Sequence, residues 1–144
     1  MFTICHQVGI KTDPQNVFTA LATAAGVSSW WSRAEGDFEA GGEIKLFFGT
    51  TVLTLQILQQ NPAKIAWQCV EVDPQWQDTQ IIFEIEEKAG QTFVHFRHEM
   101  WSEESELFAH CSTKWAVFLL SLKSLLETGT GNPYPEDIPV RFNP

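Results

Sequence analysis

The sequence predicts an α+β fold in which a curved, seven-stranded antiparallel sheet wraps around one long C-terminal helix. Apolar residues recur every three or four positions through 102–127, which is typical of a helix with one buried face. Residues 33–101 alternate instead with a period of two, between turns rich in glycine and proline. An alternating segment and two short helical segments come first. The predicted order is therefore one strand, two helices, six strands and a long helix, in a single domain spanning residues 1–144.

The N-terminal segment is expected to form a strand followed by the two short helices. Alternation over residues 2–11 predicts one strand face formed by Phe2, Ile4, His6 and Val8. Asp13 and Pro14 are typical of a helix start, with Asp13 as N-cap. The buried stripe of that helix is expected to be Val17, Phe18 and Leu21. Gly26 should end it, and residues 27–31 should form a single turn.

Six further strands are predicted by the alternation that follows, near residues 34–39, 43–48, 51–60, 64–72, 79–88 and 91–100. Short turns between them predict an antiparallel meander. In the last strand, one face is expected to hold Thr92, Val94, Phe96, His98 and Met100. Arg97 should point to the opposite face and pair with a glutamate of the preceding strand.

The long helix is predicted from Ser102, as N-cap, to Glu127, with Gly129 as its stop signal. Its buried face is expected to consist of Phe108, Cys111, Trp115, Phe118, Leu119, Leu122, Leu125 and Leu126. Val117 and Leu120 lie outside this stripe, so they are expected to face a partner, a second copy of the chain or the tail. Residues 129–144 have no periodicity and are predicted to be an irregular tail.

The composition narrows the classes of partner. With 9 basic against 18 acidic side chains the net charge is −9, which argues against a nucleic-acid partner. No apolar run approaches the length needed for membrane insertion, and the N-terminus lacks the pattern of a signal peptide. Cys5, Cys69 and Cys111 are widely spaced in apolar segments, so we expect reduced core thiols and a cytoplasmic location.

An ordered set of short motifs covers nearly the whole chain. The motifs are Asp13-Pro14-x-x-Val17-Phe18-x-x-Leu21, Trp30-Trp31, Gly36-Asp37-Phe38-x-x-Gly41-Gly42, Pro62-x-x-Ile65-x-Trp67, Thr92-x-Val94-x-Phe96-x-His98 and the segment from Trp115 to Gly129. In this order they resemble the START-like, helix-grip superfamily, also called SRPBCC or Bet v 1-like. In particular, they resemble the branch named after the activator of Hsp90 ATPase.

This resemblance implies a hydrophobic cavity between the sheet and the closing helix, with Trp30 and Trp31 near its entrance. We therefore expect a small, mostly hydrophobic ligand there and no cofactor. The predicted lining residues are Trp30, Trp31, Trp67, Cys69, Phe83, Phe96, His98, Phe108, Cys111 and Trp115. The site should lie under the first half of the long helix, opposite Trp67 and His98.

Several alternatives remain open from the sequence. The tryptophans could simply fill the core, and His98 could be a hydrogen-bonded core histidine. An enzyme such as a cyclase, dehydratase or hydrolase would need polar groups in the cavity, for which an inward pair of His98 and Glu71 is the candidate. No nucleophile motif or metal-ligand spacing is present, so we predict no catalytic or metal-binding residues. By analogy with the chaperone activator, a protein–protein module is a further alternative, and the positions of Val117 and Leu120 outside the stripe leave a homodimer open.

Overall fold

The computed structural model describes residues 1–141 and confirms the predicted fold class. Its elements are β1 (Phe2–Ile10), α1 (Pro14–Ala22), α2 (Ala24–Trp30), β2 (Arg33–Gly36), β3 (Glu43–Phe48), β4 (Thr51–Asn61), β5 (Lys64–Glu71), β6 (Gln80–Lys88), β7 (Gln91–Trp101) and α3 (Glu106–Thr128). All seven strands form one antiparallel sheet in the order β1-β7-β6-β5-β4-β3-β2. The predicted tail extends over 129–144, and its last three residues lie outside the described part. Within residues 1–141, no helix is long and apolar enough to cross a membrane.

Helix α3 packs across the concave face of the sheet, and its C-terminal half makes polar contacts with the end of β1. Its buried residues are Cys111, Trp115, Phe118, Leu119, Ser121 and Leu122. All of these except Ser121 belong to the predicted stripe, whose other members, Phe108, Leu125 and Leu126, are half-buried. At the sheet edge, the Lys123 ammonium donates to the carbonyl oxygen of Gly9 at 2.6 Å. The Glu127 carboxylate accepts from the backbone N–H of Lys11 at 2.9 Å. These contacts fix the C-terminal half of the helix along the first strand.

The start of α3 differs from the prediction. The N-cap is Ser105, whose hydroxyl accepts a hydrogen bond from the backbone N–H of Phe108, and Ser102 lies outside the helix. Both serines precede acidic residues, so composition does not distinguish them. The predicted end is confirmed, because Gly129 adopts a left-handed φ of 89° and its N–H bonds to Leu125.

The boundary between the first two helices also differs, because Gly26 does not end α1. Thr23 separates the helices in an extended conformation, and its hydroxyl caps α2 by accepting from the N–H of Gly26. Gly26 lies inside α2, where a Cβ atom would come within 2.6 Å of the Thr19 carbonyl oxygen and 2.7 Å of Ala20 Cα. The glycine therefore allows α2 to pack closely on α1.

Two side chains that we predicted to be buried, those of Met100 and Cys5, are exposed. The inward alternation of β7 holds from Thr92 to His98, but Met100 adopts a positive φ of 73° and is exposed. This local change turns the next residue inward, and Trp101 is fully buried instead. Cys5, which we expected in the core, lies on the exposed face of β1. The predicted cross-strand pair is present, since Arg97 contacts Glu84 at 2.8 Å on the outer face.

The irregular tail lies against α3 and the neighbouring end of the sheet. The backbone N–H of Asn132 donates to the Ser121 hydroxyl at 2.7 Å. The backbone N–H of Tyr134 donates to the carbonyl oxygen of Trp31 at 2.8 Å. The Tyr134 ring packs on Phe48 with 5.3 Å between ring centroids. Further on, the carboxylate of Asp137, whose side chain is only 6% exposed, forms an ion pair with Lys114.

The capping assignment gives a direct test. Replacing Ser105→Ala removes the side-chain acceptor of the first turn of α3, so we expect a loss of about 1 kcal/mol in the free energy of unfolding. Ser102→Ala is the matched control and should change stability by less than about 0.5 kcal/mol. Urea denaturation of both variants measures the difference. Equal losses in the two would contradict Ser105 as the N-cap.

Candidate functional site

Aromatic rings fill the interior between the sheet and the middle of α3. The ring of Trp31 stacks on Trp67 at 5.8 Å with an interplanar angle of 1°, and lies 4.9 Å from the ring of Trp115. Trp115 in turn contacts Phe96 at 4.5 Å between centroids. Trp30 also stacks on Trp31, with 5.9 Å between ring centroids. The space in which we expected a deep cavity is therefore occupied by side chains.

A buried chain of hydrogen bonds connects α3, β7 and the loop of residues 72–79 that joins β5 to β6. The indole N–H of Trp115 donates to Nδ1 of His98 at 3.1 Å. Because Nδ1 accepts, the proton of the neutral ring lies on Nε2, which donates to the Thr79 hydroxyl at 2.8 Å. That hydroxyl donates to the carbonyl oxygen of Trp76 at 2.6 Å. Both ring nitrogens of His98 are thus engaged within the protein.

This environment holds His98 in its neutral form. Burial lowers the pKa of His98 from 6.5 to about 3, because the charged ring would lose its hydration. A second proton would also have to sit on Nδ1, facing the indole N–H of Trp115. His98 therefore acts in the core as a hydrogen-bonding bridge between helix and sheet.

The space that remains is a cleft under the first half of α3, with a volume of about 280 Å³. Its walls are the helix, the β3–β4 hairpin and the loop between β5 and β6. The helix contributes Leu107, Cys111, Trp115 and Phe118. The opposite wall is formed by Trp31, Phe48, Leu53 and Trp76. Eight of the twelve lining residues are apolar, so the cleft can take an apolar group by removing its surface from water.

Four polar side chains complete the lining of the cleft: Thr51, Asp73, His110 and Lys114. Lys114 forms the ion pair with Asp137 of the tail, and its Nζ lies 4.9 Å from the centroid of the Phe118 ring. Asp73 accepts from the backbone N–H of Gln75 at 2.9 Å and is exposed to solvent. Burial, with the nearby charge of Lys114, lowers the pKa of His110.

A shallower groove continues from the cleft between the ends of β4 and β5. Pairing of these strands stops where Thr54 faces Glu71, so the chain on either side separates beyond that point. The groove shares Thr51, Leu53 and Asp73 with the cleft. Glu71 also lines the groove and is exposed to solvent. It therefore does not form the inward pair with His98 on which the enzyme hypothesis depended.

The predicted lining residues fall into two groups. Trp31, Cys111 and Trp115 line the cleft. The others lie outside its lining and within the packed interior or its border: Trp30, Trp67, Cys69, Phe83, Phe96, His98 and Phe108. Phe108 packs edge-on against Trp101 at 5.2 Å, at the opposite side of the helix start.

Sequence reasoning missed most of the cleft. Trp76 was not predicted to line the cleft because it lies in a loop, where no periodicity predicts the direction of a side chain. On the helix a signal was available, since Leu107, Cys111, Lys114 and Phe118 follow one another at spacings of four, three and four. Lys114 interrupts the apolar pattern, and it was therefore not recognised as part of this face.

The two buried thiols are held protonated. Burial raises the pKa of Cys69 to about 12 and that of Cys111 to about 11. The indole N–H of Trp76 donates to Sγ of Cys111 at 3.4 Å, which orients the Trp76 ring over the cleft. Within residues 1–141, no three His, Cys, Asp or Glu side chains are grouped to hold a metal ion.

Comparisons with known proteins agree with the fold. The profile of the family described as activator of Hsp90 ATPase homolog 1-like protein matches residues 11–127. The chain is 38% identical to an Aha1 dimer from Colwellia psychrerythraea, whose solution structure it matches with a TM-score of 0.83, over 91% of this chain and 100% of that one. No curated protein sequence matches the chain.

More distant solved structures show the shared fold alone. CalU16 from Micromonospora echinospora is 20% identical, with a TM-score of 0.80 over 99% of this chain and 75% of that one. DynU16, from the dynemicin biosynthetic locus, is 17% identical, with a TM-score of 0.78 over 90% of this chain and 48% of that one.

The bridging role of His98 predicts a specific pH dependence. Because its pKa in the folded state lies below 6.5, the unfolded chain takes up the proton first. The contribution of His98 to stability is therefore complete above about pH 6.5 and decreases by up to about 1.4 kcal/mol per pH unit as the pH falls towards 3.

The variant His98→Gln keeps one donor and one acceptor but does not titrate. It should be less stable than the wild type at pH 7, by about 1 to 3 kcal/mol. We expect this difference to narrow between pH 6.5 and pH 4, as measured by urea denaturation at each pH. A constant difference, or a His98 ring signal in NMR spectra that titrates near pH 6, would contradict the assignment.

Proposed function

The chain belongs to the activator of Hsp90 ATPase homolog 1-like family, and from this premise we propose that it binds a small, mostly apolar ligand in the cleft under α3. One observation carries the proposal. In an interior otherwise filled by rings, a cleft of about 280 Å³ stays open between three indole side chains, those of Trp31, Trp76 and Trp115. This volume is near the lower end of the range for ligand pockets, which favours a small molecule.

Binding, rather than catalysis, is the function that the cleft chemistry supports. The thiol of Cys111 is protonated at neutral pH, and the ammonium of Lys114 is paired with Asp137. His98, the strongest candidate for a proton-transfer group, has both ring nitrogens engaged behind Trp115. The free state of Cys5, Cys69 and Cys111 fits a reducing compartment, and we include a cytoplasmic location in the proposal.

A protein–protein role has one observation in its favour. The relative with 38% identity was solved as a dimer, and we propose that this chain also pairs with a second copy. The outer face of α3 is the surface we propose for this contact. Leu120 is 59% exposed there, and Val117 beside it is half-buried. An exposed leucine in the middle of a long helix is a suitable centre for a small apolar interface.

Filling the cleft gives the first functional test. In Leu107→Trp, the larger ring should occupy the space between α3 and the opposite wall, so we expect binding of the uncharged dye Nile red to fall at least about tenfold. Leu58→Trp is the matched control. Leu58 is partly exposed towards the far end of β4 and does not line the cleft, so this variant should bind as the wild type does.

Circular dichroism and thermal unfolding establish that both variants are folded. Equal dye binding by the two would reject the cleft as the binding site. Native mass spectrometry of wild-type protein purified from its source would then show whether a small molecule is retained. We expect the retained molecule to be absent from Leu107→Trp and present in Leu58→Trp.

The proposed self-association has its own test. Placing a charge at the centre of the contact, in Leu120→Glu, should shift a dimer to monomer when measured by sedimentation velocity. Thr113→Glu, at an exposed position of the same helix, is the control and should leave the dimer intact. A wild type that sediments as a monomer at all concentrations, or dimers in both variants, would reject this surface.

A further inference from the structure

The lining of the cleft contains information about the charge of its ligand, and this inference rests on the binding function proposed above. Aromatic side chains dominate the walls, with the indoles of Trp31, Trp76 and Trp115 and the rings of Phe48 and Phe118. The faces of such rings carry partial negative charge and attract cations, those of tryptophan most strongly. An apolar cleft with this many rings can therefore accept an ammonium group as well as a hydrocarbon.

The protein itself places one ammonium group against this wall. Nζ of Lys114 lies 4.9 Å from the centroid of the Phe118 ring, within the range of a cation–π contact. The carboxylate of Asp137 neutralises the charge from the outer side. Lys114 thus shows the arrangement that the cleft can provide for a cation, which is a ring on one side and a carboxylate on the other.

The charges left at the opening are negative. The charge of Lys114 is neutralised by Asp137. Among the described residues that line the cleft, Asp73 carries a carboxylate, and Glu71 follows it in the adjoining groove. Both are exposed, and none of the described residues that line the groove is basic. The lowered pKa of His110 keeps that ring from offsetting them. An anionic ligand would have to approach these carboxylates, whereas a cationic one would be attracted by them.

We propose that the ligand of this cleft is an organic ammonium compound, with its hydrocarbon part between the tryptophan rings and its charged nitrogen at the rim beside Asp73. The continuous groove gives such a molecule room to extend from the cleft towards Glu71. Any apolar ligand would gain affinity from burial of its hydrocarbon. An ammonium ligand would gain more, because its charge is also attracted by the aromatic rings and by the Asp73 carboxylate.

Three probes of equal chain length separate charge from hydrocarbon: octylammonium, 1-octanol and octanoate. Binding to the full chain is measured at pH 7 and 0.15 M salt by isothermal titration calorimetry, with shifts of the indole N–H signals of Trp31 and Trp76 in NMR spectra to locate it. We expect octylammonium to bind about fivefold more tightly than 1-octanol, and octanoate to bind more weakly than both.

Asp73→Asn removes the charge and keeps an oxygen that can accept from the N–H of Gln75. It should reduce the preference for octylammonium over 1-octanol by about threefold. Asp78→Asn is the matched control, because Asp78 lies in the same loop but lines neither the cleft nor the groove. This variant should keep the wild-type preference.

The outcomes distinguish this inference from the binding function on which it rests. If 1-octanol binds in the cleft but octylammonium binds no more tightly, or if Asp73→Asn keeps the full preference, the ammonium assignment is wrong and binding of an apolar ligand stands. If none of the three probes binds, or if all bind Leu107→Trp as well as the wild type, the proposed function itself is rejected.

Discussion

The hydrogen bond from the indole of Trp115 to Nδ1 of His98 is the contact on which the rest of the arrangement depends. It fixes the rotation of α3 relative to the sheet at a fully buried point, where an unpaired polar atom would be costly. Through Nε2 it also holds Thr79, which in turn holds the carbonyl of Trp76. This buried series of hydrogen bonds thereby positions both the helix and the loop that form opposite walls of the cleft.

Dense packing in the middle explains why the cleft lies at one end. A long helix over a curved sheet leaves a wide gap, and in this chain the stacked rings of Trp31, Trp67 and Trp115 fill it. The cleft lies beside this stack, between the first half of α3 and Trp76, next to the point where β4 and β5 stop pairing. The number and placement of large rings thus decide where space remains within a shared fold.

Sequence patterns predicted the fold well because burial imposes regular spacing on strands and helices. The inward alternation of β7 and the buried stripe of α3 both follow from it. Features set by a single backbone torsion or a single side-chain contact were not predictable. Met100 changes the phase of β7 through one positive φ, and Ser105 rather than Ser102 caps α3. The cleft depends on such details, since Trp76 reaches it from a loop, and so only three of its lining residues were among those predicted.

The contacts of Lys123 and Glu127 with β1 have a consequence for solubility. An edge strand with free backbone groups can recruit a strand from another molecule, which leads to aggregation. Here the ammonium of Lys123 donates a hydrogen bond to the carbonyl oxygen of Gly9. The carboxylate of Glu127 accepts one from the backbone N–H of Lys11, just beyond the strand. The opposite edge, β2, has only four residues and offers little backbone for pairing. The side chains that anchor α3 therefore also protect one end of the sheet from non-native strand addition.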